Sequence, residues 1–342
     1  MMTIKYGIAI SGVGHHLPDV IEDNETLCAN LEVTPDWILE KTGIKRRYLA
    51  RPEDSASDFA SKAAQSAIKM AKIQNDEIDL IVVCTFSGDY IFPPVSAKVQ
   101  KLLNATNAHI FDLQANCTGF VTGLTTATDR MLVDETVRNA LVIGVELNSR
   151  YINRSDVNSA IYMSDGAGAA VLSRTRKGKG IISSAFHTDS SNFEAVRMRG
   201  GGSSFISRDR PWDSSIDYME MNGIATWKQA ITHLPAVIRK ACAKSGVDHR
   251  EVDFILFHQA NLNMINYVVR KMGYSMEQTF TNVQEIGNTG AASVGIALSE
   301  AVSKGLMKDG DLVVLAAVGA GFNFGASVWR WCLPKVGEAK LT

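Results

Sequence analysis

The run Asp112-Leu-Gln-Ala-Asn-Cys117-Thr-Gly-Phe120 lies where an apolar, strand-like stretch (residues 108–113) gives way to a small-residue, helix-like stretch (residues 118–132). A cysteine at the N-terminus of a helix faces a partial positive charge and unpaired N–H groups. Both favour the thiolate, which is the reactive form. Most cysteines are instead small buried hydrophobic residues. The local pattern therefore leaves Cys117 as either a nucleophile or a core residue.

Two polar residues far downstream extend this pattern. His258 follows an apolar run that ends at Phe257, and Asn288 lies in Gly287-Asn-Thr-Gly-Ala-Ala-Ser293. Taken singly, such a histidine is more often structural, and such an asparagine is usually a turn residue. A nucleophilic cysteine with a distant histidine and asparagine is nevertheless a catalytic constellation, provided that the fold brings them together.

Composition narrows the class of protein. The chain has 342 residues, 46% hydrophobic and 21% charged, as in ordinary soluble globular proteins. A net charge of -1 does not indicate binding to nucleic acid or to an anionic membrane. Five cysteines without paired spacing argue against a disulfide framework, and no metal-ligand spacing stands out. No apolar run could span a bilayer, and there is no signal-peptide segment. We expect a cytoplasmic enzyme or binding protein without a metal cofactor.

Strand-like and helix-like stretches alternate along the chain, which is typical of α/β layers. Thr34 and Pro35 predict the start of a helix, as N-cap and first helical residue. Similar alternation in the later part suggests two duplicated halves, although no clear sequence repeat is visible. We interpret residues 174–218, rich in Gly, Ser, Asp and Arg, as the connection between the halves, with some irregular structure. The last strand is predicted over residues 326–333.

Two glycine-rich runs resemble nucleotide-binding loops but lack the required context. The run from Gly319 to Gly325 connects a strand to a strand, so the helix N-terminus that holds a pyrophosphate is missing. The same applies to Asp165-Gly-Ala-Gly168. A tight turn or a close approach of backbones is the better interpretation of both.

Six motifs in order along nearly the whole chain carry a family resemblance. They are Trp37-Ile-Leu-Glu-Lys-Thr-Gly-Ile-Lys-Arg-Arg47, Phe92-Pro93, Asp165-Gly-Ala-Gly-Ala-Ala170, His258-Gln-Ala-Asn261, Gly287-Asn-Thr289 and Gly319-Ala-Gly-Phe322. With Cys117, they make the chain resemble the β-ketoacyl-ACP synthase III family of the thiolase superfamily. The resemblance implies a five-layered α-β-α-β-α fold and a homodimer. It places the nucleophilic half at residues 1–175 and the His and Asn half at residues 176–342.

The resemblance also implies a reaction. Cys117 would take an acyl group from a thioester on CoA or acyl carrier protein. His258 and Asn288 would then bind the carbonyl of a malonyl-type extender and stabilise, as hydrogen-bond donors, the enolate left by loss of carbon dioxide. The carbanion would attack the acyl group on Cys117. Two preorganised donors suit this task, since removing one oxyanion donor typically costs ~10²–10³ in rate. A second oxyanion hole would use the backbone N–H groups of Cys117 and Ala320.

Family position assigns further contacts with substrate and partner. Phe92 and Met163 would line the acyl tunnel, and Trp37 and Arg154 would bind CoA or pantetheine. Basic residues at the carrier-docking positions are Lys228, Arg270 and Lys271. Three positions depart from the family pattern. Val157 stands where an arginine usually stacks on adenine, Asn263 replaces a docking arginine, and Ala320 replaces a glycine that could adopt a positive φ at lower cost.

These departures favour a specialised member of the family. We expect a ketosynthase that condenses a carrier-bound acyl group with a malonyl- or β-ketoacyl-type thioester in polyketide or fatty-acid-derived secondary metabolism. Three alternatives remain. They are a ketosynthase/cyclase that forms a dialkylresorcinol-like ring, an acyltransferase that moves the acyl group to a hydroxyl or amine, and a non-catalytic carrier-protein binding module.

Overall fold

The helices and strands form two sheets with helices on their faces. The computed structural model describes residues 5–206 and 210–333. The strands are β1 (Gly7–His16), β2 (Val20–Asp23), β3 (Arg46–Leu49), β4 (Leu80–Cys84), β5 (His109–Leu113), β6 (Asn139–Leu147), β7 (Asp165–Thr175), β8 (Gly180–Thr188), β9 (Val196–Met198), β10 (Met219–Met221), β11 (Phe254–Phe257), β12 (Leu312–Gly319) and β13 (Asn323–Arg330). The α-helices are α1 (Asn24–Cys28), α2 (Pro35–Thr42), α3 (Ala56–Ala71), α4 (Val95–Leu103), α5 (Gly119–Val133), α6 (Val157–Ala160), α7 (Ser214–Asp217), α8 (Gly223–Lys244), α9 (Leu262–Met272), α10 (Val283–Ile286) and α11 (Ser293–Ser303).

Each large sheet is drawn from one part of the chain. The first has the strand order β1-β7-β6-β4-β5, with β4 parallel to β5 and β6, and with β7 antiparallel to β1 and β6. The second has the order β11-β12-β13-β8, with β11 parallel to β12. The strands of the first sheet lie within residues 7–175 and those of the second within residues 180–330. A domain boundary near residue 175 stays a prediction.

Helices fill the space between the sheets and cover both outer faces. α3 and α4 pack on the outer face of the first sheet, and α8 and α9 on the outer face of the second. α5 and α11 lie between the sheets, where Phe120 and Leu298 share one buried cluster with Val82 and Leu315. Because both faces of a central strand such as β4 are covered, its sequence is continuously apolar and buried. These five layers confirm the predicted α-β-α-β-α architecture.

Local sequence signals explain several element ends. Thr34 caps α2 by accepting a hydrogen bond from the Trp37 N–H at 3.2 Å, and Pro35 is its first residue, as predicted. Gly43 ends the helix with φ 74, a left-handed conformation that favours glycine. Gly168, the second glycine of Asp165-Gly-Ala-Gly168, allows α11 to approach β7, since a Cβ there would lie 2.5 Å from Ile296 N. This confirms the close-approach interpretation.

The structure differs from the sequence predictions in two places. The stretch 174–218 contains a strand that the sequence analysis did not predict, β8, which pairs with β13. The pattern of β8 is hard to recognise, since its buried and partly exposed residues do not alternate regularly. The last strand begins at Asn323 instead of residue 326, because Gly319 and Asn323 already pair across a tight hairpin. This hairpin confirms that the glycine-rich run from Gly319 to Gly325 connects two strands.

Candidate active site

The fold brings Cys117, His258 and Asn288 to one cavity of about 140 Å³. Cys117 lies in a 3-10 turn (Asn116–Thr118) immediately before α5. His258 follows the end of β11, and Asn288 lies in the loop after α10. One part of the chain therefore supplies the thiol, and the other supplies the imidazole and the amide.

The electrostatic environment of Cys117 differs from the prediction. Cys117 opens to the cavity but is otherwise surrounded by protein, and burial raises the pKa of its thiol to about 12, with a smaller contribution from the charge of Glu146. Burial also raises the pKa of the Glu146 carboxyl, to about 8. The helix N-terminus predicted a thiolate, but desolvation outweighs it. The resting form is the thiol.

His258 is held as a neutral imidazole. It is buried, and desolvation lowers its pKa to about 4. Its backbone N–H donates to the Ala316 carbonyl at 2.8 Å, which fixes it at the edge of the second sheet. Its Nδ1 lies 2.5 Å from the hydroxyl of Ser293, which also accepts the Gln259 N–H at 3.3 Å.

The Ser293 contact bears on the tautomer of His258, because the hydroxyl and the ring nitrogen can each act as donor or acceptor. With the Ser293 hydroxyl donating to Nδ1, the ring proton is on Nε2, where it can be donated to a substrate. This is the tautomer that a donor role of His258 requires. Sequence reasoning missed this role of Ser293, although the residue closes the motif that contains Asn288.

Asn288 is oriented by hydrogen bonds at three points. Its side-chain oxygen accepts the Gly290 N–H at 3.0 Å, which leaves the NH₂ group as the end available to a substrate. Its backbone N–H donates to the Tyr162 carbonyl at 2.8 Å, and its carbonyl accepts the Ser164 N–H at 2.9 Å. The amide is thus positioned as a donor.

The loop from Gly319 to Gly321 lies against the Cys117 turn. A Cβ on Gly319 would lie 3.0 Å from the Cys117 nitrogen. Asn116, which has φ 49, donates from its side chain to the Ala320 carbonyl at 3.0 Å. Asparagine tolerates this left-handed conformation better than most residues. Ala320 is not among the described residues with positive φ. Alanine in place of the family's glycine therefore causes no positive-φ strain here.

The walls of the cavity are mostly apolar. Met163 lines it, together with Met221, Met264, Trp227, Val318 and Phe322. Phe92 does not line this cavity. It is 83% exposed, next to Ile91 at 94% and Tyr90 at 63%. Within one chain, the structure therefore brings one of the two predicted acyl-tunnel residues to the site.

The predicted CoA contacts lie outside the cavity. Trp37 is 36% exposed in the first turn of α2. Arg154 forms an ion pair with Glu22 on β2, and most of its side chain is buried. The structure therefore does not show Arg154 stacked with Trp37.

The predicted docking residues lie on two helices outside the cavity. Lys228 is in α8, while Arg270 and Lys271 are in the last turn of α9. Lys271 donates to the Ile231 carbonyl at 2.8 Å. Asn263, at the position of a docking arginine, instead donates to the Glu40 and Lys41 carbonyls at 2.8 and 3.1 Å and so ties α9 to the end of α2.

The described residues hold neither a metal-binding cluster nor a membrane-spanning helix. Neither residues 5–206 nor residues 210–333 contain a cluster of three or more His, Cys, Asp or Glu side chains that could hold a metal ion. In the same ranges, no helix has both the length and the apolar character needed to cross a membrane.

Comparison with known proteins decides the family. Residues 111–190 match the family 3-oxoacyl-[acyl-carrier-protein] synthase III, and residues 242–331 match its C-terminal domain. The β-ketoacyl-[acyl-carrier-protein] synthase III of Rhodobacter capsulatus is 37% identical over 96% of this chain and 100% of its own. That of Syntrophomonas wolfei is 35% identical over 95% and 97%. The chain belongs to the β-ketoacyl-ACP synthase III family. It is therefore a ketosynthase, a condensing enzyme of the acyltransferase class.

Solved structures of the family agree with the fold. The 3-oxoacyl-[acyl-carrier-protein] synthase III of Aquifex aeolicus has a TM-score of 0.87 at 32% identity, over 95% of this chain and 100% of its own. The priming β-ketosynthase of the R1128 polyketide biosynthetic pathway has a TM-score of 0.89 at 26% identity, over 98% and 99%. The thiolase-like fold is thus confirmed for this ketosynthase.

Proposed function

We propose that this ketosynthase loads an acyl group from a carrier-protein or CoA thioester on Cys117 and condenses it with a malonyl- or β-ketoacyl-type thioester. The observation that carries the proposal is the shared cavity of the Cys117 thiol, the neutral His258 imidazole and the Asn288 amide. His258 has the protonation state, and Asn288 the orientation, that the condensation step requires.

Loading exchanges one thioester for another. The Cys117 sulfur attacks the thioester carbonyl, the C–S bond to the carrier breaks, and the thiol proton leaves with the released carrier thiol. The N–H groups of Cys117 and Ala320 would bind the oxyanion in this step. Because burial raises the pKa of Cys117 to about 12, the thiol must lose its proton as it attacks and not beforehand.

Condensation uses the other two groups. The extender carbonyl oxygen accepts hydrogen bonds from His258 Nε2 and Asn288 Nδ2, and carbon dioxide leaves with formation of the enolate. The α-carbon then attacks the acyl carbonyl and a carbon–carbon bond forms. The C–S bond to Cys117 breaks, and the released Cys117 thiolate takes a proton from solvent. Donors fixed in a dry cavity stabilise the enolate oxygen without reorganisation at the moment of reaction.

A specialised role in polyketide or fatty-acid-derived metabolism is part of the proposal. It is supported by the departures at Val157 and Asn263, by the pairing of Arg154 with Glu22, and by the similarity to a polyketide priming ketosynthase. Lys228, Arg270 and Lys271 would bind an acidic carrier protein, and Trp37 would contact a CoA or pantetheine group. All five cysteines are free, as suits the reducing cytoplasm that we propose as the location.

We also propose a homodimer, in which Phe92 would line the acyl tunnel of the partner subunit. Three consecutive apolar side chains, Tyr90 to Phe92, are exposed here, and an exposed apolar group of this kind marks an interaction site. β5 is an edge strand of the first sheet, whose unpaired backbone groups can continue the sheet into a second copy.

Intact mass after incubation with a panel of acyl-CoAs and acyl carrier proteins tests the function, followed by a chase with malonyl carrier protein. We expect a mass gain that is absent in Cys117→Ala and is discharged with release of carbon dioxide. Discharge by an alcohol or amine without carbon dioxide would instead identify an acyltransferase. A cyclic product from a β-ketoacyl chase would identify the ring-forming branch. An unchanged mass with every donor would leave a carrier-binding module.

A further inference from the structure

Tyr162 supplies a hydroxyl group to the catalytic cavity that the condensation described above does not use. It lines the cavity together with the three catalytic residues. The other hydroxyl-bearing residue of this lining, Thr226, donates to the Asn222 carbonyl at 2.8 Å, so its hydrogen is already engaged. The Tyr162 hydroxyl has the Asn261 side chain as its hydrogen-bond partner among the described residues.

The Asn261 side chain determines which way this hydrogen bond runs. Its oxygen accepts the Asn263 and Met264 N–H groups, at 2.8 and 3.2 Å, at the start of α9. Both lone pairs of that oxygen are thus engaged, so the amide reaches the phenol through its NH₂ group, which also donates to the Lys41 carbonyl at 3.0 Å. The Tyr162 oxygen is then the acceptor, and the phenolic hydrogen is left for a substrate.

The protonation state and the position of the phenol suit a donor. Burial raises the pKa of the Tyr162 phenol and outweighs the opposite effect of the Asn261 hydrogen bond, so the hydroxyl keeps its proton at neutral pH. The Tyr162 carbonyl accepts the Asn288 N–H at 2.8 Å, which fixes the residue beside the amide that the proposed reaction uses. The ring packs against two buried apolar clusters. The donor is therefore held in place before substrate arrives.

A fixed, neutral donor discriminates between substrates. When the hydroxyl meets only hydrocarbon, it loses its hydrogen bond to water and gains none, which disfavours a plain acyl chain. A keto oxygen accepts the phenolic hydrogen and avoids that cost. A malonyl carboxylate is a poor partner, because a donor stabilises its charge and so opposes the loss of carbon dioxide. Since the cavity holds only about 140 Å³, the keto oxygen must lie close to the thioester carbonyl, as in a β-ketoacyl group.

We propose that Tyr162 is a specificity-determining residue, whose hydroxyl donates a hydrogen bond to a keto oxygen of the substrate and so favours β-ketoacyl thioesters over plain acyl thioesters of equal length. This inference rests on the condensing function proposed above and deepens it, because it names the thioesters that this function would use. The keto group can belong to the acyl group on Cys117 or to the thioester that attacks it, and the experiment has one arm for each.

Tyr162→Phe removes the hydroxyl and keeps the ring and the backbone contact with Asn288. Tyr274→Phe is the matched control, because the Tyr274 hydroxyl donates to the His249 carbonyl at 2.7 Å, outside the catalytic cavity. Thermal unfolding of both variants first confirms that they are folded at the assay temperature.

The two arms measure kcat/KM for condensation with matched substrates. In the first arm, Cys117 is loaded from hexanoyl-CoA or from β-ketohexanoyl-CoA, and malonyl carrier protein follows. In the second arm, Cys117 carries a hexanoyl group, and either malonyl or β-ketohexanoyl carrier protein follows.

We expect Tyr162→Phe to lower the ratio of kcat/KM for the β-keto substrate to that for its counterpart about tenfold in at least one arm. A tenfold change corresponds to about 1.4 kcal/mol, which lies within the cost of leaving one buried acceptor unpaired. Tyr274→Phe should leave the ratio at its wild-type value. The arm that shows the change identifies the substrate that carries the keto group.

A ratio that Tyr162→Phe leaves unchanged in both arms would overturn the proposal, even if every rate falls, because the hydroxyl would then only support the cavity. Faster release of carbon dioxide from malonyl carrier protein with an unchanged ratio would also contradict it, by placing the hydroxyl on the carboxylate.

Binding separates this inference from the condensing function. In a Cys117→Ala background, which cannot be loaded, Tyr162→Phe should reduce the preference for β-ketohexanoyl-CoA over hexanoyl-CoA, as a ratio of dissociation constants, about tenfold. If that preference is present but the wild-type protein never loads an acyl group on Cys117, the condensing function fails and the role of Tyr162 stands. If loading and condensation occur without that preference, the role of Tyr162 fails and the condensing function stands.

Discussion

Replacing Ser293 with alanine tests whether the tautomer of His258 controls condensation. The Ser293 hydroxyl lies 2.5 Å from His258 Nδ1 and accepts the Gln259 N–H. A buried hydrogen bond of this kind contributes about 1 kcal/mol net, so without it the ring proton can occupy Nδ1 in a larger fraction of molecules. Since 1.4 kcal/mol corresponds to about tenfold in an equilibrium constant, the tautomer ratio changes about fivefold, and the resulting mixture should lower kcat for condensation about twofold. Loading of Cys117 should be unchanged, because it does not need the Nε2 proton.

The assay combines steady-state kinetics with nitrogen NMR of the labelled His258 ring at a pH well above its pKa of about 4. Wild type should show the proton on Nε2, and Ser293→Ala should show a mixture. Ser293→Thr keeps the hydroxyl and should restore both readouts. Ser299→Ala is the matched control, because Ser299 lies on the same helix and its hydroxyl makes a similar contact, 2.9 Å from His15 Nδ1, outside the catalytic cavity.

Stability must be measured beside activity. Ser293→Ala also leaves the buried Gln259 N–H without its side-chain acceptor, at a cost of about 1–3 kcal/mol. A protein folded at the assay temperature with wild-type tautomer and reduced kcat would refute the reasoning. So would an altered tautomer with wild-type kcat, since the donor at Nε2 would then not matter.

Three further predictions concern Asn288, Phe92 and His258. Asn288→Asp keeps the oxygen that accepts the Gly290 N–H but puts a second acceptor where the enolate needs a donor. Carbon dioxide release should therefore fall by about 10²–10³, with normal acyl loading in the mass assay. Phe92→Ala should alter acyl-chain preference without changing Cys117 alkylation if Phe92 lines the partner's tunnel, and a preference identical to wild type would count against that placement. Burial lowers the pKa of His258 from 6.5 to about 4, so the unfolded chain takes up a proton there that the folded one excludes. About 3 kcal/mol of stability should be lost as the pH falls from above 6.5 to about 4, and His258→Gln should remove that part of the pH dependence in denaturant titrations.

Local patterns predicted most of the elements and their α/β class because the signals were themselves local, whereas the five-layered arrangement was implied by the family resemblance. Examples are the continuous apolar run of β4, the N-cap at Thr34 and the close approach at Gly168. Each can be recognised from a few neighbouring residues, because each meets a physical requirement of one local element. β8 was not predicted because its residues are neither regularly alternating nor continuously apolar. Its partner β13 lies more than a hundred residues away, and the pairing between them defines it as a strand.

The charge state of Cys117 shows the limit of such reasoning most clearly. Its sequence context gives a helix N-terminus, which favours a thiolate. The structure shows which residues surround Cys117 on its other sides. The Gly319 loop packs against the Cys117 nitrogen, and the carboxyl of Glu146 lies nearby, so desolvation raises the thiol pKa to about 12. Both neighbours come from parts of the chain that no local pattern connects to Cys117. A cavity that keeps Cys117 as a thiol and His258 neutral before substrate arrives is arranged for charges that appear only during the reaction. That arrangement explains why the residues can be recognised from sequence while their protonation states cannot.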